Sequence, residues 1–241
     1  MKLPDNIFGI NTREAYKKYM EESAKKPEEK PIIQPAASTA GINPGDYLFM
    51  PAHNLYIAKQ KLHFGNDWYQ SHEQLHKEDA RMLTLREFID FLIMLRLGNA
   101  QDGLGNLVSG QEVQSIYDEI TAVRDPWRSE WIDAYFTKQP NADTFNINYS
   151  HRTINGQLQP QKTEPLEQCL LKDCKVDIQG FNRQGMPTKE GNDFNYWYPQ
   201  DNRVAGFGAD SGRAGFGCVV DPLGSDASLG VRLRAAGAPK K

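Results

Sequence analysis

His72, Glu73 and His76 stand in the spacing H-E-x-x-H. On a helix, residues four apart share a face, so the two imidazoles could hold a zinc ion while Glu73 activates a metal-bound water. The surroundings argue against that chemistry. A longer zinc-protease pattern would place glycine at 79 and histidine at 82, where Asp79 and Met82 stand. Glu87 and Asp90 are the carboxylates that could complete a ligand set from the following helix, and Glu87 is better used as the capping partner of Thr84. Neither histidine then has a credible third ligand. The expectation is no catalytic residue, no cofactor and no stoichiometric zinc, with a metal-dependent hydrolase using His72, Glu73 and His76 as the alternative function.

Cys169 and Cys174 are spaced so that two thiolates could meet one zinc ion, but a closed site needs four ligands. His151 and Cys218 could join them only through the fold, so the pair reads as ordinary thiols packed like small hydrophobes. Gly206-x-Gly208 has no following helix to form a dinucleotide site, and no nucleophile elbow surrounds any serine. Three cysteines are too few and odd in number for a disulfide framework, which fits synthesis in a reducing cytoplasm.

The elements that would position such groups follow from the hydrophobic pattern. In residues 1–45, a charged helix begins near Thr12, and Pro27, Pro31 and Pro35 then break the chain ahead of the small-residue stretch Ala36–Gly41. This reads as an arm or linker whose partner would be a larger assembly, ahead of a domain at residues 46–241, and deleting residues 1–40 should leave that domain folded. Tyr47–Met50 and Leu55–Ala58 read as short strands. Asp67–Lys77 reads as an amphipathic helix with Trp68, Leu75, Tyr69 and His72 turned inward. Thr84 and Glu87 open a buried helix that Gly98 ends, and Ser109 with Glu112 opens another around Val113–Val123. Pro126 followed by Trp127, Trp131, Ile132 and Tyr135 has helical spacing. Thereafter the period becomes two. Phe145, Ile147 and Tyr149 alternate with polar residues ahead of an Asn155-Gly156 hairpin turn, Val176–Ile178 is a short strand, Phe194–Tyr198 an aromatic one, and Val204–Cys218 alternates at length. Helices early and strands late predict an α+β domain in which helices flank a mostly antiparallel sheet.

The composition bounds what such a domain binds. The chain has 241 residues with 28 basic and 31 acidic side chains, a balance unlike that of proteins that bind nucleic acid through clustered Lys and Arg. The longest apolar stretch, Phe88–Leu97, carries Asp90 and Arg96 and is too short to span a bilayer, and no apolar signal segment follows Met1.

The last quarter is the most informative segment. With period two, one set comprises Ala205, Phe207, Ala209, Ala214, Phe216 and Cys218, suited to a packed face. The other comprises Gly206, Gly208, Asp210, Gly215, Gly217 and Val219. Alternate glycines cost strand stability, so that second face is not optimised for the fold.

The string V-A-x-F-x-A-x-S-x-x-A-x-x-x-C-x-x-x-P-x-x-S-x-x-S-L-G-V-R, filled by Val204–Arg232, resembles the variable region of target proteins of diversity-generating retroelements, especially those of archaea and archaeal viruses. Met50–Tyr56, Asn66–Tyr69, Arg81–Thr84, Pro126–Trp131 and Trp197–Pro199 are similar to the frame of the same proteins, so the resemblance covers roughly residues 46–236. It implies a C-type-lectin fold of the formylglycine-generating-enzyme type, used without enzymatic activity as a frame for a variable surface within about residues 195–232. The variable positions would be Gly206, Gly208, Asp210, Gly212, Arg213, Gly215, Gly217, Val219, Val220, Asp221, Leu223, Gly224, Asp226 and Ala227. Diversification in this family acts at adenines, mostly of Asn codons, and cannot produce Lys, Glu, Gln, Met or Trp. None of those five types occurs anywhere in Val204–Val231. Ser211, Ser225 and Ser228 would tie loop amides and Arg232 would bridge carbonyls. Calcium-lectin tripeptides are missing, so calcium and sugar binding are not implied, and no motif supports copper chemistry. The resemblance implies an adhesin or receptor-binding role towards a protein or cell-surface ligand, reached by assembly on a virion or cell surface. An enzyme on the same frame is the further alternative.

Overall fold

The computed structural model of the chain describes residues 43–140, 142 and 144–235, so the expected charged helix and linker lie outside the described residues. Asn43 caps a single 3₁₀ turn, Pro44–Asp46, after which the chain builds most of a smaller sheet, then a larger one, and returns to the smaller with its last described strand. In order come β1 (Tyr47–Met50), β2 (Leu55–Ala58), helix α1 (Trp68–Lys77), β3 (Arg81–Met82), helix α2 (Leu85–Leu97), β4 (Gln101–Asp102) and helix α3 (Gly110–Thr121). The long strand β5 (Arg128–Lys138) opens the second half, followed by β6 (Phe145–Tyr149), β7 (Arg152–Ile154), β8 (Gln157–Gln159) and β9 (Lys162–Pro165). Last come β10 (Cys174–Val176), β11 (Phe194–Trp197), β12 (Arg203–Ala209), β13 (Ala214–Val220), β14 (Leu229–Val231) and β15 (Leu233–Ala235).

The smaller sheet runs β3-β15-β2-β1-β4 and is antiparallel throughout. The larger runs β10-β11-β13-β12-β5-β6-β9, with β14 added beside β5. Its pairs are antiparallel except β11 with β13 and β14 with β5. The domain is α+β with mainly antiparallel sheets. Among the described residues no helix is long and apolar enough to cross a membrane.

Local chemistry explains the helix ends. The Asp67 carboxylate accepts from the Gln70 amide at 2.7 Å while the Gln70 side chain accepts from the Asp67 amide, closing a capping box on α1. Thr84 and Glu87 form the expected box on α2, and Gly98, at φ 73°, ends that helix in the left-handed conformation that a Cβ disfavours. Thr84→Ala removes one half of this box and is expected to lower stability by about 1 kcal/mol in thermal denaturation. Ser109 caps α3 by accepting the Glu112 amide, but Glu112 turns its carboxylate to Lys59 at 2.6 Å instead of closing a box.

Two readings of the sequence need correction. Pro126–Tyr135 is not helical: its residues enter β5, which is buried along most of its length. Ile132, Ala134 and Phe136 pack into the main core while Trp131 packs into a second cluster, so apolar residues occupy both faces and imitate a helical period. The Asn155-Gly156 turn is present, with φ 51° and 78°, but it joins β7 to β8 in a separate two-stranded ribbon, whereas β6 pairs with β5 and β9. In α1, Trp68, His72 and Leu75 are buried as expected, whereas Tyr69 is exposed.

The main core joins β1, β2, α2 and α3 to one face of the larger sheet, and contains Ala205, Phe207, Ala209, Ala214, Phe216 and Cys218. The second cluster gathers Tyr47, Trp68, Leu75, Met82, Trp131, Val204, Val231 and Leu233 under helix α1.

Candidate functional site

The register of β12 against β13 divides the last quarter into two faces. Phe207 stands opposite Phe216 and Ala209 opposite Ala214 on the core side, while Gly206 faces Gly217 and Gly208 faces Gly215 on the other. A Cβ built on Gly208 would meet Ser129 Oγ at 3.4 Å and Trp127 Nε1 at 3.5 Å, and one on Gly217 would meet Val219 at 3.4 Å and Trp197 at 3.7 Å. These are ordinary van der Waals contacts. Neither glycine has a positive φ, so neither is demanded by backbone geometry.

Gly215 differs. A Cβ there would lie 2.2 Å from the Asn195 carbonyl oxygen of the parallel strand β11, so Gly215 is required by close backbone approach. It leaves the set of displayable positions. Gly206 and Gly217 are also buried, and a side chain on Gly206 would press on the Glu130 carbonyl at 3.3 Å and Val220 at 3.4 Å.

Two aromatic residues that the sequence reading did not place on this surface flank the glycines. Trp127 is 41% exposed beside Gly208, and Trp197, on the strand next to β13, carries the Arg213 guanidinium 4.9 Å above its ring. The alternation Phe194-Asn195-Tyr196-Trp197 is the signal that could have found Trp197, because Phe194 and Tyr196 are buried in the core. Arg213, Asp221, Leu223, Asp226 and Ala227 are exposed, and Asp210, Val219, Val220 and Gly224 are half-buried. Gly212 is exposed at the β12–β13 turn.

The loop amides are tied by aspartates rather than by the expected serines. Asp210 Oδ1 accepts from the Gly212 and Arg213 amides at 2.7 and 2.9 Å, Asp221 from the Leu223 amide at 3.0 Å, and Asp226 from the Ser228 amide at 2.7 Å. These bonds hold the Asp210 and Asp221 carboxyls below the usual carboxylate range. Arg232 bridges carbonyls as expected, those of Ala58 and Lys59, and also grips Glu130.

The H-E-x-x-H segment does not assemble as a hydrolytic site. Glu73 is exposed and pairs with Lys77 at 2.9 Å, and His76 turns to the Thr153 hydroxyl at 2.7 Å and the His151 carbonyl at 3.2 Å. His72 instead lies fully buried, with Nε2 3.7 Å from Asp133 Oδ1. His151 Nδ1 stands 2.5 Å from the same oxygen, and the His151 amide donates to Asp133 Oδ2 at 3.0 Å. Burial lowers the His72 pKa to about 3, keeping the ring neutral, and the histidines around Asp133 help hold its carboxyl low against the opposing effect of burial.

The three thiols are unpaired. Burial pushes Cys169 up to about 11 and Cys218 well above the ordinary thiol range, so neither is a ready thiolate.

No protein-family model matches the chain, and neither a curated protein nor a solved structure matches it.

Proposed function

We propose that the outer face of β12 and β13, with the two loops that follow those strands, is a ligand-recognition surface on a frame of C-type-lectin type, and that its exposed positions are the diversified ones of a retroelement target protein. The observation that carries this reading is the division of one hairpin into a side-chain-filled core face and a nearly bare outer face. Trp127 and Trp197 flank that outer face and Arg213 stacks on one of them. Tryptophan and arginine are among the side chains most often dominant in protein recognition, while Gly208 and the exposed loop positions can take new side chains without disturbing the core. The partner is a protein or cell-surface ligand, and the role is that of an adhesin or receptor-binding component without catalytic activity.

The aspartates limit what can be displayed. Asp210, Asp221 and Asp226 suit variation only towards residues such as Asn or Ser, whose oxygens can accept the same loop amides.

The reading is tested by joint substitution. Changing Gly208, Gly212, Val219 and Leu223 together to Tyr, Ser, Asn or His is expected to leave thermal stability within about 0.5 kcal/mol per site. Gly215→Ser alone is expected to cost about 1–3 kcal/mol through forced overpacking against β11. A mean loss per outer site as large as that of Gly215→Ser would overturn the display surface. The flanking DNA supplies a second test: a near-copy of the Val204–Arg232 coding segment differing at adenines, beside a reverse transcriptase gene, is expected.

A further inference from the structure

His72 presents an unusual chemical situation. Its ring is fully buried, yet neither Nδ1 nor Nε2 has a hydrogen-bond partner. An imidazole buried with both nitrogens unpaired forfeits the hydrogen bonds it made to water, a penalty that folded proteins rarely leave standing. The ring is wedged edge-on against Trp68, with centroids 4.3 Å apart, so packing holds it in place without supplying a polar partner. What lies beside it is a carboxylate and a second imidazole. One ligand atom each from His72, Asp133 and His151 lies within 4.8 Å of the others, and all three residues are buried.

We propose that His72 Nε2, Asp133 Oδ1 and His151 Nδ1 bind one divalent transition ion of the zinc class, which ties helix α1 to β5 and to the turn after β6. Two imidazoles and a carboxylate form a donor set suited to zinc, with metal–ligand distances of about 2.0–2.2 Å. Two ligands at such distances in a tetrahedral site stand roughly 3.3 Å apart by geometry, close to the 3.7 Å between His72 and Asp133. The His151–Asp133 pair, at 2.5 Å, is joined by a hydrogen bond and its proton. Ion entry needs that proton to move, to His151 Nε2 or to solvent, and the pair to open by less than an ångström. Water is the fourth ligand.

Sequence spacing pointed to the wrong partners for His72. Its coordination set is completed from β5 and from the residue after Ser150, which turns the chain at φ 56°, and not by Glu73 or His76. The ground for expecting no bound metal, the want of a third ligand, is thereby removed. The proposal is independent of the display surface, which involves none of these residues.

The test is metal titration of the full chain purified without chelator, using zinc with elemental analysis and cobalt with visible absorption. One ion per chain is expected, with cobalt bands of a four- or five-coordinate nitrogen and oxygen site and a raised melting temperature. Asp133→Asn is expected to weaken binding at least about a hundredfold, beyond the 10–100-fold effect of losing a supporting outer group, while Glu73→Gln leaves it unchanged. Should Asp133→Asn fail to fold, zinc-edge X-ray absorption of the wild-type chain decides, with nitrogen and oxygen scattering expected. Absence of stoichiometric uptake by the folded wild-type chain would overturn the site. So would binding lost in Glu73→Gln, or sulfur scattering that assigns the ion to Cys169 and Cys174.

Discussion

Replacing Arg232 by methionine is expected to destabilise the domain by about 3–5 kcal/mol, read by chemical denaturation. The guanidinium is 1% exposed and every one of its five N–H groups has an acceptor. Nε and Nη2 engage the Glu130 carboxylate at 3.1 and 3.0 Å, Nη1 donates to the Ala58 and Lys59 carbonyls, and Nη2 also reaches Glu119 at 3.2 Å. One side chain thus connects the β14–β15 junction, β2, β5 and α3. Methionine would fill much of the volume but leave the Glu130 carboxylate buried without its cation, and that uncompensated charge is the larger part of the cost. The double variant Arg232→Met with Glu130→Leu is therefore expected to recover most of the loss. A single-variant loss below about 1 kcal/mol would show that the pair is not buried in solution as it is here.

Phe207→Ala and Phe216→Ala are each expected to cost about 3–5 kcal/mol, the sum of lost burial and a cavity that the neighbours fill only in part. Phe207 packs between Phe88 of α2 and Phe194 of β11, with centroid separations of 5.6 and 5.4 Å. Phe216 meets Tyr196 at 4.9 Å and Phe181 at 5.4 Å. Both rings are effectively inaccessible to solvent, so their removal cannot be relieved by water. Leu223, 71% exposed in the loop after β13, is the matched control, and Leu223→Ala is expected to change stability by no more than about 0.5 kcal/mol. Equal losses from the three would contradict the two-sided character of the β12–β13 hairpin. Recognition at the outer face depends on that character, because a surface can vary freely only when the opposite face alone holds the backbone still.

Much of this was legible in the residues because it depends on local geometry. Capping of α2 by Thr84 and Glu87, its end at Gly98, the type of the Asn155-Gly156 turn and the alternation of Phe207 and Phe216 with glycine each involve groups a few residues apart. The α+β class followed from the order of those local signals, and the core face of the last quarter followed from period two alone. Strand β5 was misread for a physical reason of the same kind. Local periodicity reports one buried face, and a central strand covered on both sides has two.

The remainder depended on tertiary neighbours. Gly215 looks like Gly208 and Gly217 in sequence, but the parallel approach of β11 leaves room for a side chain at the other two and none at Gly215. The serines of the last loops were expected to hold the loop amides, but backbone direction gives that part to the aspartates. His72 has a helical neighbour in His76 four residues on, yet its closest titratable partners, Asp133 and His151, come from 61 and 79 residues further along the chain. What sequence by itself determined about this protein is the α+β class, the three helices and the core face of the last quarter, since these follow from side-chain chemistry at short range. Which glycines are free, which carboxylates anchor loops and which ligands surround a buried imidazole were decided by the tertiary structure, because distances between segments are set by how the sheets and helices pack.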